Sequence, residues 1–153
     1  MSSSLKVAIS DAVKEAMRAK QTARLGTLRF LQAAIKQKEI DDRVELSDDQ
    51  VLAIIEKQVK QRKESIAAFE NAGRTETADA EKAELDVLKE FLPEAASEQE
   101  VQEAIDAALT QVTAEGVTGP AIMGKAMAVL KQKLAGRTDM AELSKRLKDR
   151  IKP

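Results

Sequence analysis

Residues 119–126 read Gly119-Pro120-Ala121-Ile122-Met123-Gly124-Lys125-Ala126, and two fold classes part at this stretch. As a phosphate-binding loop, G-x-x-x-x-G-K-[ST], it would need a buried strand before it and an α/β nucleotide-binding fold around it. Ala126 then stands where the Mg²⁺-binding hydroxyl should be. As a helix, the stretch belongs to an all-α chain. The preceding Gln111–Val117 ends a helix in a turn rather than forming a strand, and Pro120 suits a first helical turn, where a missing N–H costs nothing. At about 100° per residue, Met123, Met127, Leu130 and Leu134 fall on one stripe with Ala126 beside them. Gly124 and Ala128 share a flank where small residues let another backbone approach, and Lys125 points nearly opposite the stripe. A loop would leave that stripe without a use, so the segment is predicted to be helix.

The same period runs outward in both directions. Leu5, Ile9, Ala12, Val13, Ala16 and Met17 recur at three- and four-residue spacing, as do Leu25, Leu28, Leu31 and Ile35. Ser47-Asp48-Asp49-Gln50 is a capping box opening a helix that carries Val51, Leu52, Ile55, Val59, Ile66 and Phe69. Asn71-Ala72-Gly73 stops it. Thr75 is placed to cap the next helix, with Leu85, Leu88 and Phe91-Leu92 on one side before Pro93. Ser97–Glu100 and Asp139–Glu142 are two further capping boxes, ahead of Val101, Ile105, Leu109 and Val112 and of Leu143, Leu147 and Ile151. No segment alternates with period two. The expected architecture is all-α: an N-terminal bundle of about four helices over 1–93 and a three-helix tail over 94–153, divided where Pro93 disfavours helix in the residue before it.

Composition bounds the chemistry. With 43% apolar and 33% charged residues in 153, the chain is globular rather than disordered, and folding should bury roughly 70% of its extended surface. There is no Cys and no His, which removes thiolate nucleophiles, disulfides, the commonest general base and the commonest transition-metal ligand. No cofactor or metal is expected. Lys6, Asp11, Lys14 and Glu15 interrupt any signal-peptide core, and no run approaches a membrane span. The expected location is the cytoplasm or an organelle matrix.

A formal net charge of −1 conceals an uneven distribution. From Val117 onward the bases are Lys125, Lys131, Lys133, Arg137, Lys145, Arg146, Lys148, Arg150 and Lys152, against Asp139, Glu142 and Asp149. From Leu85 to Glu115 acids dominate, with Asp86, Glu90, Glu94, Glu98, Glu100, Glu103, Asp106 and Glu115 against Lys89. Clustered bases can neutralise phosphates in a sequence-independent way; they can equally form a solvated face near helix C-termini. The three aromatics, Phe30, Phe69 and Phe91, fall on plausible core faces, so stacking on single-stranded bases is poorly supported. Arg62 lies within its helix's apolar stripe, between Val51 and Ile55 and beside Ile66. A desolvated guanidinium there needs partners, for which Glu39, Glu81 and Glu84 are candidates, unless it faces a ligand.

Several motifs run in one order along the chain: Arg24-Leu25-Gly26-Thr27-Leu28-Arg29, Val59-Lys60-Gln61-Arg62-Lys63-Glu64-Ser65, Ala72-Gly73-Arg74, Phe91-Leu92-Pro93, Met123-Gly124-Lys125-Ala126-Met127 and Lys133-Leu134-Ala135-Gly136-Arg137-Thr138-Asp139. Together they resemble the GatB/YqeY family. The resemblance implies an all-helical N-terminal unit joined to a tail similar to the C-terminal tail of the B subunit of tRNA-dependent amidotransferases, where the tail contacts tRNA. That role falls here on Lys125, Lys133 and Arg137, with Lys131 and Lys145 added from charge pattern. The amidotransferase kinase domain has no counterpart in this chain, nor has the glutaminase subunit with its Ser–Ser–Lys site. The family's assignment to carbon–nitrogen ligases using glutamine as amido donor therefore finds no chemistry in these residues. Three readings follow: a non-catalytic tRNA-binding or amidotransferase-associated module; an enzyme with a site around Arg29, Glu39, Arg62 and Arg74; or a structural protein-interaction module. Since residues 119–126 are read as helix, calorimetry with Mg²⁺-ATP or Mg²⁺-GTP should detect no binding to the wild type or to Ala126→Ser. Micromolar affinity in either would reinstate the phosphate loop.

Overall fold

The computed structural model describes residues 3–151. These form seven α-helices and no strand: α1 (Ser4–Arg18), α2 (Thr22–Asp42), α3 (Asp48–Asn71), α4 (Thr75–Lys89), α5 (Glu98–Ala114), α6 (Ala121–Leu134) and α7 (Met140–Ile151). The chain divides into two compact units, Met1–Leu92 and Pro93–Pro153. No helix among the described residues is long and apolar enough to cross a membrane.

In the N-terminal unit, α3 and α4 form an antiparallel pair joined by a turn of Ala72, Gly73 and Arg74. Gly73 adopts φ +73°, a conformation that glycine enters without Cβ strain. The Arg74 and Gly73 N–H groups donate back to the Phe69 and Glu70 carbonyls at 2.8 and 3.1 Å, satisfying the orphan acceptors at the end of α3. Ile9 of α1, Leu31 and Ile35 of α2, Val51, Ile55, Val59 and Ile66 of α3, and Leu85 and Leu88 of α4 converge on one core. Leu46, in the α2–α3 connection, is fully buried within it. Two residues read as core from their spacing lie outside it: Phe30 is 59% exposed and Met17 51% exposed. α2 carries apolar residues on both faces, and Phe30 lies off the buried stripe of Leu28, Leu31 and Ile35, with more than half of its surface open to solvent.

The N-terminal ends of α1 and α3 meet at one carboxylate. Asp48 accepts hydrogen bonds from the Ser3 hydroxyl, from the Ser4 hydroxyl at 2.8 Å and from the Leu5 N–H at 3.0 Å. Ser3 Oγ itself accepts from the Lys6 N–H at 3.1 Å. Asp48 thus satisfies an orphan donor of α1 while lying in the first turn of α3, where negative charge is favoured. Beside it, Lys6 pairs with Glu39 at 2.5 Å, and Glu39 also accepts from the Leu46 N–H at 2.9 Å.

The C-terminal unit packs Val101, Ile105, Ala108 and Val112 of α5 against Ala126, Leu130 and Leu134 of α6 and Leu143 and Leu147 of α7. Residues 121–126 are the start of α6, after Gly119 at φ +67° and Pro120 at the N-cap position. Ala126 is fully buried. Gly124 meets no close neighbour, since a Cβ built there would find nothing within 4 Å, so the close backbone approach expected on that flank is not made within the chain. The capping boxes at Ser47 and Ser97 form in full. Asp139 caps differently, accepting from the Ala141 N–H at 2.9 Å. Thr75 does not cap α4 but is its first residue, behind Arg74, whose side chain makes no capping bond.

The hydroxyls of Ser3 and Ser4 and the Leu5 N–H hold the Asp48 carboxyl below its ordinary value, with the Ser3 contribution largest. A depressed carboxylate stabilises the fold above its unfolded pKa and loses that contribution as pH falls through its folded value. The stability difference between wild type and Asp48→Asn should therefore be complete at neutral pH and close below roughly pH 4. Urea titrations across that range measure it; a difference that persists unchanged in acid would remove Asp48 from this role.

Candidate functional site

Two groups of side chains have the character of a site: the Arg62 cluster in the N-terminal unit and the basic surface of the C-terminal unit. Arg62 leaves α3 toward α4, where its Nη1 lies 3.1 Å from Glu81 and 2.9 Å from Glu84. The Phe30 ring lies on another side, its centroid 5.6 Å from the guanidinium carbon. The Arg62 and Glu81 side chains are about one-fifth exposed and Glu84 about one-third, at 19%, 21% and 37%. Both carboxylates are met through the same nitrogen, so the side-on fork that makes arginine–carboxylate pairs strongest is not formed. Arg62 Nε and Gln58 Oε1, one helical turn apart on α3, are buried without hydrogen-bond partners.

Glu39, a candidate partner on sequence, is not part of this cluster, because Lys6 and the Leu46 N–H hold it at the α1–α3 end. The Lys6 ammonium and that N–H keep its carboxyl below the usual range, and Glu39 in turn raises Lys6. The four residues of the enzymatic reading have separate surroundings. Arg29 reaches Met17 Sδ at 3.5 Å, and Arg74 lies over the Phe69 ring at 5.2 Å. Glu39 faces Lys6, and Arg62 faces Glu81 and Glu84. An open depression of about 340 Å³ on this unit is lined by Lys38, Leu46, Gln50, Ala53, Ile54 and Lys57 and includes none of the four.

In the C-terminal unit the arginines and lysines behave differently. Arg137 donates from Nε to the Glu94 carbonyl at 2.9 Å and from Nη2 to Glu100 at 2.7 Å. Its own carbonyl accepts from the Ala96 N–H at 2.8 Å, so Arg137 clamps the segment before α5 to the α6–α7 turn. With the Ser97 N–H it also holds the Glu100 carboxyl below the usual range. Arg146 binds both oxygens of Glu98 at 3.1 and 2.7 Å, and Arg150 pairs with Asp106. The acids of α5 thus take up the arginines of α7 and of the turn before it.

Lys125, Lys131, Lys133, Lys145 and Lys148 remain exposed, and none forms an ion pair among the described residues. Lys152 lies outside the described residues. At about 100° per residue, Lys125 and Lys133 stand about 80° apart on α6, while Lys131 projects on the opposite flank of the buried stripe. No cluster of three or more Asp or Glu suited to holding a metal ion occurs among the described residues.

The chain, with its ordered motifs on α2, α3, α6 and the α6–α7 turn, matches the family model described as Yqey-like protein over residues 6–151. It belongs to the Yqey-like family. Among its relatives are proteins named altered inheritance of mitochondria protein 41, mitochondrial, from three fungi. The one from Pyrenophora tritici-repentis is 31% identical over 121 residues, 78% of this chain and 67% of that protein. The one from Lachancea thermotolerans is 34% identical over 103 residues, 65% of this chain and 55% of that protein. For Eremothecium gossypii the identity is 38% over 91 residues, 57% and 50% of the two chains. The Yqey-like chain thus spans half to two-thirds of the length of these relatives.

For Arg62 the geometry describes an interhelix ion pair that is partly open to water. Removing the guanidinium leaves two neighbouring carboxylates that solvent still reaches in part, so the loss should fall below that of a fully buried pair. Arg62→Ala should lower the unfolding free energy by about 2–3 kcal/mol, and Glu81→Gln with Glu84→Gln in the same chain should recover part of it. Denaturant unfolding of the wild type and the two variants measures this. An Arg62→Ala protein as stable as the wild type would leave the cluster without a structural role.

Proposed function

We propose that this Yqey-like protein is a non-catalytic accessory module whose C-terminal unit binds folded RNA of the tRNA type through its phosphate backbone. The observation that carries this is the division of labour among the bases: the arginines are bound to α5 carboxylates, while Lys125, Lys131, Lys133 and Lys145 are left exposed without ion pairs among the described residues. Lysine ammonium groups act as mobile point charges, suited to phosphate contacts that fix position without reading bases. The three aromatics, at positions 30, 69 and 91, all lie in the N-terminal unit, so the C-terminal unit has no ring on which to stack a base. Recognition by shape and backbone, as for double-helical RNA, is what such a surface supports.

Arg137 has a smaller part in this reading than its place in the motif implies, because its guanidinium is already engaged within the unit. An amidotransferase, or another protein that handles the same RNA, is the partner this module would serve. The compartment in the proposal is the cytoplasm or an organelle matrix, the second in line with the mitochondrial designation in the relatives' names.

The test is a gel-shift series with tRNA across salt concentrations. Each lysine that neutralises a phosphate contributes about 0.7–0.9 to the log–log salt slope. Replacing Lys125, Lys131, Lys133 and Lys145 together by Ala should flatten the slope by about two to three units, short of four full contacts because Lys131 projects away from Lys125 and Lys133. Far-UV circular dichroism should be unchanged. Arg137→Ala should chiefly lower the melting temperature. Wild type that fails to bind tRNA at low salt, or a quadruple variant that binds as well as wild type, would end the RNA reading.

A further inference from the structure

α2 buries one face through Leu28, Leu31 and Ile35, but its opposite face is not that of an ordinary solvated helix. Ala23, Gly26, Phe30, Ala33, Gln37 and Ile40 follow one another at alternating spacings of three and four residues, and every one is exposed. Phe30 and Ile40, the large ones, are 59% and 60% exposed, although the Arg62 guanidinium already lies against one side of the Phe30 ring. No charged residue falls within this seam, which runs for roughly 26 Å at 1.5 Å per residue. Alternating three–four spacing is the pattern that keeps an apolar seam turned toward a single partner helix.

Gly26 points the same way. It lies inside α2 without positive φ, and a Cβ at that position would meet nothing within 4 Å. Glycine weakens a helix interior, and the chain's own packing gives no reason for it here. Space for the close approach of another helix would.

The flanks of the seam define the partner's chemistry. On one side Thr27 is buried and Ala34 half-buried, turned into the bundle, and beyond them exposed Asp41 accepts from the Gln37 side chain at 2.8 Å. On the other, Arg29 and Lys36 are exposed, and neither forms an ion pair among the described residues; Arg29 contacts only a methionine sulfur. We propose that this face of α2 docks one amphipathic helix of a partner protein, apolar along its seam and acidic along its flank. A second copy of the chain fits less well. Antiparallel pairing would set Arg29 and Lys36 against their own copies, and parallel pairing would aim Arg29 at Ala34 and bring only Lys36 to an acid, Asp41, which Gln37 already engages at 2.8 Å. Acidic flanks on a different helix meet both bases.

Two synthetic 21-residue helices test this on the full chain, both with Leu along the seam, one with Glu and the other with Lys at the flanking positions. By fluorescence anisotropy the Glu peptide should bind at least about tenfold more tightly than the Lys peptide. Phe30→Glu should weaken it by about tenfold or more, and Arg29→Glu with Lys36→Glu should reverse the preference. If circular dichroism shows Phe30→Glu unfolded, Ile40→Glu serves in its place on the same exposed seam. Binding of neither peptide, equal binding of both, or binding unaffected by the seam substitution overturns the proposal. So does a concentration-dependent dimer in sedimentation that the seam substitution dissolves, since a second copy would then be the occupant; a chain that stays monomeric supports it.

Discussion

The N-terminal unit is organised around a charge placed where a hydrophobic residue would be expected. Arg62 interrupts the stripe that α3 buries through Val51, Ile55, Val59 and Ile66, and a guanidinium in that position must find acceptors or remain hydrated. Glu81 and Glu84, one turn apart on α4, supply them, while Phe30 of α2 covers another side with its ring. One side chain therefore ties three helices together. The Gly73 turn brings α4 back antiparallel, and the ion pairs then constrain which face of α4 is presented to α3. A hydrophobic residue at 62 would tolerate several such arrangements; a charge tolerates few.

A second polar anchor acts at the other end of the same unit. Asp48 closes the start of α1 and opens α3, and Lys6 and Glu39 bind the two sides of the same corner. Their opposite pKa displacements describe one interaction from its two ends: the carboxyl is lowered because the ammonium beside it favours its charged form, and the ammonium is raised by the carboxylate. Leu46, buried in the α2–α3 connection, is held there by its N–H to Glu39. A loop residue becomes core because a carboxylate fixes its backbone.

In the C-terminal unit electrostatics does two separate jobs. The acidic α5 and the arginines near and within α7 neutralise each other within the unit, through Glu98–Arg146, Glu100–Arg137 and Asp106–Arg150. Arginine suits this, being planar, always charged and able to bridge a backbone carbonyl and a carboxylate at once, as Arg137 does. The exposed lysines stay out of these pairs. The basic end of the chain is thus less basic to an approaching partner than its composition suggests, and what it presents is lysine.

Much of this was legible in the amino-acid sequence, for a definite reason. Helix identity, caps and stops depend on residues within about four positions of one another, so the all-α class, the capping boxes at Ser47 and Ser97, the stop at Gly73 and the helix over residues 121–126 could be taken from local pattern, although Gly119 and Pro120 form the turn before it. Ordered motifs carried the family in the same way. The spacing also marked Arg62 as anomalous and named Glu81 and Glu84 among its partners. Only the tertiary structure could choose between those and Glu39, because carboxylates from several helices compete and the winner depends on which backbones lie within a side chain's reach. It likewise turned Phe30 of α2 and Met17 of α1 outward, since both helices carry apolar residues on more than one face and periodicity cannot say which one is buried. And it showed that Arg137 is engaged while Lys125, Lys131, Lys133 and Lys145 are not, for a sequence counts charges but cannot tell which of them already have partners.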